Sequence, residues 1–340
     1  MNKKILFFTI IFISILLIIT FFVFFRENDK TVEIEKLCSD IQNLSTYNNP
    51  IIPQDFKPIE TDNASWNLKD GIPEGWNNGL VIEDKNENQF VWVPINIDLD
   101  TLKKSKIEDK YIITTSGKIL TQDEFIQILK YQGFYVSRYE AGIPYEILKN
   151  TNEFSSKTNN IEGIPVSKKN QIVWNFIDFD KAKKNCANMY NNETLNSDLI
   201  TSTQWDYILN WIISNYDIDI KDSKNYGNYS NSLFEFSGYY SIDFGKTYKF
   251  DKNKNKQEKN IILSTGAYEQ SKLNNIYDLA GNVAEFVDTY NYNKKDKKIE
   301  VIHNTRGGYY DNASINSISS SMSISSANSK QGFRIVLYQK

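Results

Sequence analysis

NIYDLAGNVAEFVD, residues 275–288, is neither helix-periodic nor strictly alternating, with a Gly-Asn pair at its centre and acidic residues on either side. Gly281 takes a positive φ at no steric cost and Asn282 tolerates one better than most residues, so the pair reads as a turn. Two readings follow. In the first, the turn joins two short strands while Asp278 and Glu285 cap and pair at the surface. In the second, it folds Asp278 and Glu285 toward one another with backbone carbonyls between them. Oxygen ligands of that mixed kind suit a hard cation such as calcium.

The rest of the chain sets the context. With 340 residues, 40% hydrophobic and 24% charged, the composition is that of a globular protein with room for one large domain or two smaller ones. Its 21 Tyr, 20 Phe and 6 Trp could fill the core of an irregular, loop-rich fold, because each buried aromatic removes a large area from water. The plainest feature is ILFFTIIFISILLIITFFVFF, residues 5–25, which carries no charge. At about 1.5 Å per helical residue it matches a hydrocarbon core of roughly 30 Å. It is too long for a signal-peptide apolar region and lacks an A-x-A-like cleavage site, so an uncleaved transmembrane helix is expected. Lys3 and Lys4 place residues 1–4 in the cytoplasm, leaving the bulk of the chain extracellular.

With Lys3, Lys4 and Arg26 set aside, 36 basic residues face 42 acidic ones, a formal charge of −6 over residues 27–340, and no basic stripe argues for nucleic acid. The cysteines, Cys38 and Cys186, could pair in an oxidising compartment. The position of Cys38 in the stalk and of Cys186 on a helix face favours unpaired thiols. Residues 26–49 read as that stalk and residues 50–340 as the domain. FVWVPI (90–95), GFYVSRY (133–139) and the closing GFRIVLY (332–338) read as strands. Thr121 with Glu124 three residues on starts a short helix that Gly133 stops. A second helix is expected from Asp178 to Tyr190, with Phe179, Ala182, Cys186 and Met189 on one face. A third follows a Ser202 or Thr203 cap, with Trp205, Ile208, Leu209 and Ile212 as its stripe. Helices among short strands and long loops, without βαβ alternation, make the fold α+β.

FVWVPI, GFYVSRYEAG, PVS (165–167), Trp174 with the helix carrying Ala182 and Cys186, LITSTQWDYI, NIYDLAGNVAEF, RGGYY and GFR occur in that order. Together they resemble the sulfatase-modifying-factor family, the formylglycine-generating-enzyme-like domain, over roughly residues 50–340. The resemblance implies a C-type-lectin-like fold with much irregular structure. It implies a structural calcium held by side-chain oxygens of Asp278 and Glu285 and by the backbone carbonyls of Gly281 and Val283. Ala284 and Phe286 stand where the family commonly has tryptophan.

The catalytic half of the resemblance is missing. Formylglycine-generating members bind copper through two cysteines between RGG and GFR, and here the interval from Arg306 to Arg334 has none, so the soft ligands copper(I) prefers are absent. The ergothioneine-type branch binds iron through histidines, and His303 is this chain's one histidine. Neither copper nor iron is expected. DKNKNKQEKN (251–260) starts like a calcium loop, but Lys256 stands where an EF-hand needs Gly and Ile262 where it needs Glu. The serine run 317–326 has no adjacent base to activate a nucleophile. The expected function is therefore a membrane-anchored, calcium-stabilised binding or structural module, a pseudoenzyme whose loops bind a protein, glycan or cell-wall ligand. The alternative is a diverged oxidoreductase of the same family acting on a protein side chain, with Cys186 as its only thiol inside the domain.

Overall fold

FVWVPI and GFYVSRY are adjacent strands, Gln89–Pro94 and Gly133–Ser137, paired antiparallel with Trp92 opposite Tyr135. Their rings meet edge to face at 5.1 Å, an arrangement that aromatic quadrupoles favour. This computed structural model describes residues 50–97, 102, 104–108, 110–148, 155, 157–232, 239–242, 246–249, 261–323 and 326–340. The apolar run 5–25, the stalk 26–49 with Cys38, and DKNKNKQEKN at 251–260 lie outside the described residues. Among the described residues no helix is long and apolar enough to cross a membrane.

The described chain folds as two units, one containing residues 97–130 and the other residues 47–96 with 131–340. The first carries a three-stranded antiparallel sheet, Lys106–Glu108, Tyr111–Ile113 and Ile119–Thr121, followed by the helix Gln122–Tyr131 that ends at its boundary. The predicted capping box is present: Glu124 N donates to Thr121 Oγ1 at 3.2 Å and Thr121 N to Glu124 Oε2 at 2.6 Å. The stop differs from expectation. Gln132, not Gly133, takes the left-handed φ of 54°, and Gly133 opens the next strand, where a Cβ would lie 2.3 Å from the Trp92 ring. Close packing against Trp92, not helix termination, explains that glycine.

The larger unit is built on a six-stranded antiparallel sheet in the order Phe56–Ile59, Val81–Asp84, Gln89–Pro94, Gly133–Ser137, Ile335–Gln339, Leu195–Leu199. Phe90, Trp92 and Tyr135 face a cluster that includes Trp174, Phe179, Phe286 and Phe333, while Val91, Val93, Phe134 and Val136 on the other face are also buried. Burial on both faces is why these strands read as continuous apolar runs. The last strand sits inside the sheet, and Tyr135 Oη and Gln339 Nε2 both donate to Ile51 O, at 3.1 and 2.8 Å. The two ends of this unit are thereby fastened together.

Two helices follow their predicted faces. Phe179–Met189 is capped by Asp178, which accepts from Lys181 N, and buries Phe179, Ala182 and Cys186. Ser202–Asn215 buries Trp205, Ile208, Leu209 and Ile212. Its cap is Thr201, one residue before the expected Ser202 or Thr203, because Gln204 reaches back to the Thr201 amide and completes a capping box. A second sheet is dominated by one long hairpin, Ala284–Asn293 with Lys298–Arg306, flanked by Gln331–Gly332 in parallel and Met322–Ser323 antiparallel. The fold is α+β, as the pattern of elements predicts.

Candidate functional site

The turn at the centre of residues 275–288 is a close backbone crossing. Asp278, Gly281 and Asn282 have φ of 60°, 77° and 60°. Gly281 N donates to Gly307 O at 2.9 Å, Asn282 N to Asn228 O at 2.9 Å, and Asn228 N to Ala280 O at 3.1 Å. A Cβ on Gly281 would lie 2.1 Å from Asn228 O, so no side chain fits there. Asn282 does more than tolerate its φ. Its Oδ1 accepts from Asn228 Nδ2 (3.0 Å) and Leu263 N (2.8 Å), and its Nδ2 donates to Glu140 Oε2 (2.5 Å) and Leu263 O (3.2 Å). That satisfies an amide's full capacity of two donors and two acceptors.

Asp278 and Glu285 are both buried, which sets aside the reading that they pair at the surface. Asp278 accepts from Gly266 N through Oδ2 (2.6 Å) and from Ser271 Oγ through Oδ1 (2.8 Å). Glu285 faces Arg334, whose Nε lies 3.0 and 2.8 Å from its two oxygens and whose Nη2 lies 2.5 Å from Oε1. The guanidinium is itself fully buried and donates onward to Ser137 O (3.0 Å) and Tyr277 O (2.9 Å). Glu140, fully buried, completes the group by accepting from Asn282 Nδ2 and, at 3.3 Å, from Val283 N.

This arrangement decides how well Asp278, Gly281, Val283 and Glu285 suit calcium. Both oxygens of Glu285 lie against a guanidinium, and both oxygens of Asp278 already accept from protein donors. A dication sharing Glu285 with Arg334 would bring like charges together where little water screens them. As arranged, the residues fit the arginine and not the ion. Arg334 and Glu140 belong to the site although sequence reasoning passed over both, and the signal was available: they are the arginine of GFR and the glutamate of SRYEAG.

Three carboxyls thus share one guanidinium. Burial, then the Asp278 and Glu285 carboxylates, push the Glu140 carboxyl well above its ordinary value. Burial likewise raises Asp278 and Glu285, with Arg334 opposing the rise at Glu285. Of the three, Glu140 meets only one amide and one weak backbone donor, so burial is least offset there. A carboxyl raised in the folded state binds more protons there than in the unfolded chain, so its contribution to stability is full below the unfolded value, near 4.5, and is lost as pH rises toward the folded value. Glu140→Gln is therefore expected to flatten the fall in melting temperature as pH rises above about 5, relative to wild type. An identical slope in the two proteins would show that Glu140 does not titrate in this window.

The interval between Arg306 and Arg334 is held by hydrogen bonds to the chain itself. Arg306 Nη2 donates to Asp206 Oδ1 at 2.6 Å, Tyr309 N to Asn312 Oδ1 at 3.1 Å, and Ser317 Oγ to Ala313 O at 2.6 Å. Ser319 and Ser320 hydroxyls donate to the carbonyls of Asn316 and Ser317, so these serines serve the turn. His303 lies on the hairpin, stacked on Phe179 at 3.8 Å, with Nδ1 3.2 Å from Asp288 Oδ1. Asp288 also pairs with Lys183, which reaches Asp198 at 3.6 Å. This Lys183, Asp198, Asp288 and His303 network was not foreseen, because its members are spread over the helix and two sheets. Cys186 is free and buried, and burial raises its thiol well above the ordinary range, so it is a poor nucleophile. Neither the protein-family models nor the curated proteins give a match to this chain.

Proposed function

We propose that the chain is a non-catalytic binding or structural module on a formylglycine-generating-enzyme-like, C-type-lectin-like scaffold, anchored by residues 5–25 with its domain extracellular. One observation carries this reading: the segment that would hold the family's copper has no cysteine, while the arginines that frame it are built into the fold through Asp206 and Glu285. The frame is kept and the redox ligands are not. The oxidoreductase alternative would need a reactive thiol in the domain, and a buried Cys186 with a raised pKa does not supply one. A fold with this much loop surface can present a binding face for a protein, glycan or cell-wall ligand without a catalytic centre.

The test is direct. The full chain, purified in detergent, is incubated with copper(I) and a cysteine-containing sulfatase-motif peptide, and the peptide mass is followed. No change in mass is expected, and no stoichiometric copper should be retained. Turnover of the cysteine to the aldehyde would overturn the proposal.

A further inference from the structure

The hairpin Ala284–Asn293 with Lys298–Arg306 outruns the sheet it belongs to. Its neighbours pair toward its base: Gln331–Gly332 with Ala284 and Glu285, Met322–Ser323 with Asn304 and Thr305, and Thr201 with Asp288, beside which the Ser202 and Thr289 hydroxyls lie 2.6 Å apart. Among the described residues, no strand lies beside it from Tyr290 to Ile302. Strand alternation puts the register pairs Tyr290–Val301 and Tyr292–Ile299 on one face. Val301 is 44% exposed, and the other three are only partly buried. On the opposite face Asn291 pairs with Glu300 and Asn293 with Lys298 toward the tip, and Thr289 with Ile302, 39% exposed, nearer the base. A two-stranded ribbon with a partly exposed apolar face is marginal in water alone.

The tip is built and basic. Asn293 Oδ1 accepts from the amides of Lys295 (3.0 Å) and Asp296 (3.3 Å), and its Nδ2 donates to Glu300 Oε1 at 2.7 Å. Lys297 closes the turn at φ 51°. Lys294, Lys295, Lys297 and Lys298 are all exposed there, opposed by Asp296 and Glu300, on a chain whose residues 27–340 are otherwise net acidic. Tyrosines beside lysines at the end of an apolar ribbon match a bilayer interface: the ring bodies settle at headgroup depth and the ammonium groups meet anionic phosphates.

We propose that this hairpin docks on a lipid surface rich in anionic headgroups and so fixes how the domain stands over its membrane. The inference rests on the anchored reading above, which keeps the domain beside a bilayer. The tip sets four lysines against two acidic residues on a domain that is net acidic, so an anionic surface attracts the domain at this point.

The test uses the full chain reconstituted in vesicles of phosphatidylcholine, with or without phosphatidylglycerol. A neutral acetylating ester labels the lysines, and mass spectrometry reads the rate at each. Flotation with both kinds of vesicle checks the anchor separately. Acetylation at the four tip lysines is expected to be about fivefold slower with anionic lipid, the factor for about one lysine's attraction. Lys69 and Lys85, exposed elsewhere, should be unaffected. High salt, or Tyr292→Ser with the lysines intact, should remove most of the protection. Equal rates in the two kinds of vesicle would overturn the proposal while a floating protein left the anchor intact. Protection that grows with protein density regardless of lipid would also overturn it, in favour of a second copy on the ribbon. Failure to float with either lipid would instead sink the anchored reading and this proposal with it.

Discussion

Replacing Arg334 by methionine is expected to cost about 3–5 kcal/mol, because it strands a buried charge rather than removing one contact. Glu285 would lose three hydrogen bonds and its counter-ion at once, and the Ser137 and Tyr277 carbonyls would lose their donor. Urea denaturation of the full chain in detergent, followed by tryptophan emission, measures this, since Trp92, Trp174 and Trp205 are buried. A second variant separates the ion pair from simple packing. Glu285→Met together with Arg334→Met removes both charges, so it should recover a large part of the loss seen in the single variant. A single variant within about 1 kcal/mol of wild type would mean that the pair is not a brace.

Gly281→Ala has the next largest expected effect. The new methyl would lie 2.1 Å from Asn228 O, an atom held in place by backbone hydrogen bonds, and φ of 77° is one that alanine disfavours. Strain and overpacking together are expected to cost about 2–4 kcal/mol. Gly71 is the control, since its φ is 81° and nothing lies within 4 Å of a Cβ there. Gly71→Ala should cost only about 1 kcal/mol, for the backbone conformation alone. If the two variants were equally stable in the same urea titration, the close crossing at Asn228 would carry no energetic weight.

How far the molecule was legible in its sequence differed between local and distant interactions. The strands around FVWVPI and the apolar faces of the helices carrying Cys186 and Trp205 could be read, because period and β-branched content are properties of neighbouring residues. The turn at Gly281-Asn282 could be read for the same reason. Even so, the helix cap at Thr201 was missed by one residue, since Gln204 decides it by reaching back. What Glu285 binds could not be read locally. Its partner lies 49 residues on in sequence, and a carboxylate beside a turn looks the same whether an ion or a guanidinium meets it. Gly133 misled in the same way, since the ring that excludes a side chain there belongs to Trp92 on the adjacent strand.

At Glu285, which the sequence resemblance would assign to calcium, the fold places the Arg334 guanidinium. Arg334 supplies an internal cation that cannot be chelated and stays charged through any physiological pH. That suits the non-catalytic scaffold proposed above. The melting temperature of the purified full chain, measured in detergent with excess chelator and again with millimolar calcium (roughly the range of weak extracellular sites), tests this most directly. An arginine-braced loop predicts the same temperature in both and no calcium in the purified protein. A bound ion at saturation would add about 2.7 kcal/mol at a hundredfold excess over its dissociation constant. A clear fall on chelation, abolished by Asp278→Ala, would contradict the account and return residues 275–288 to a metal.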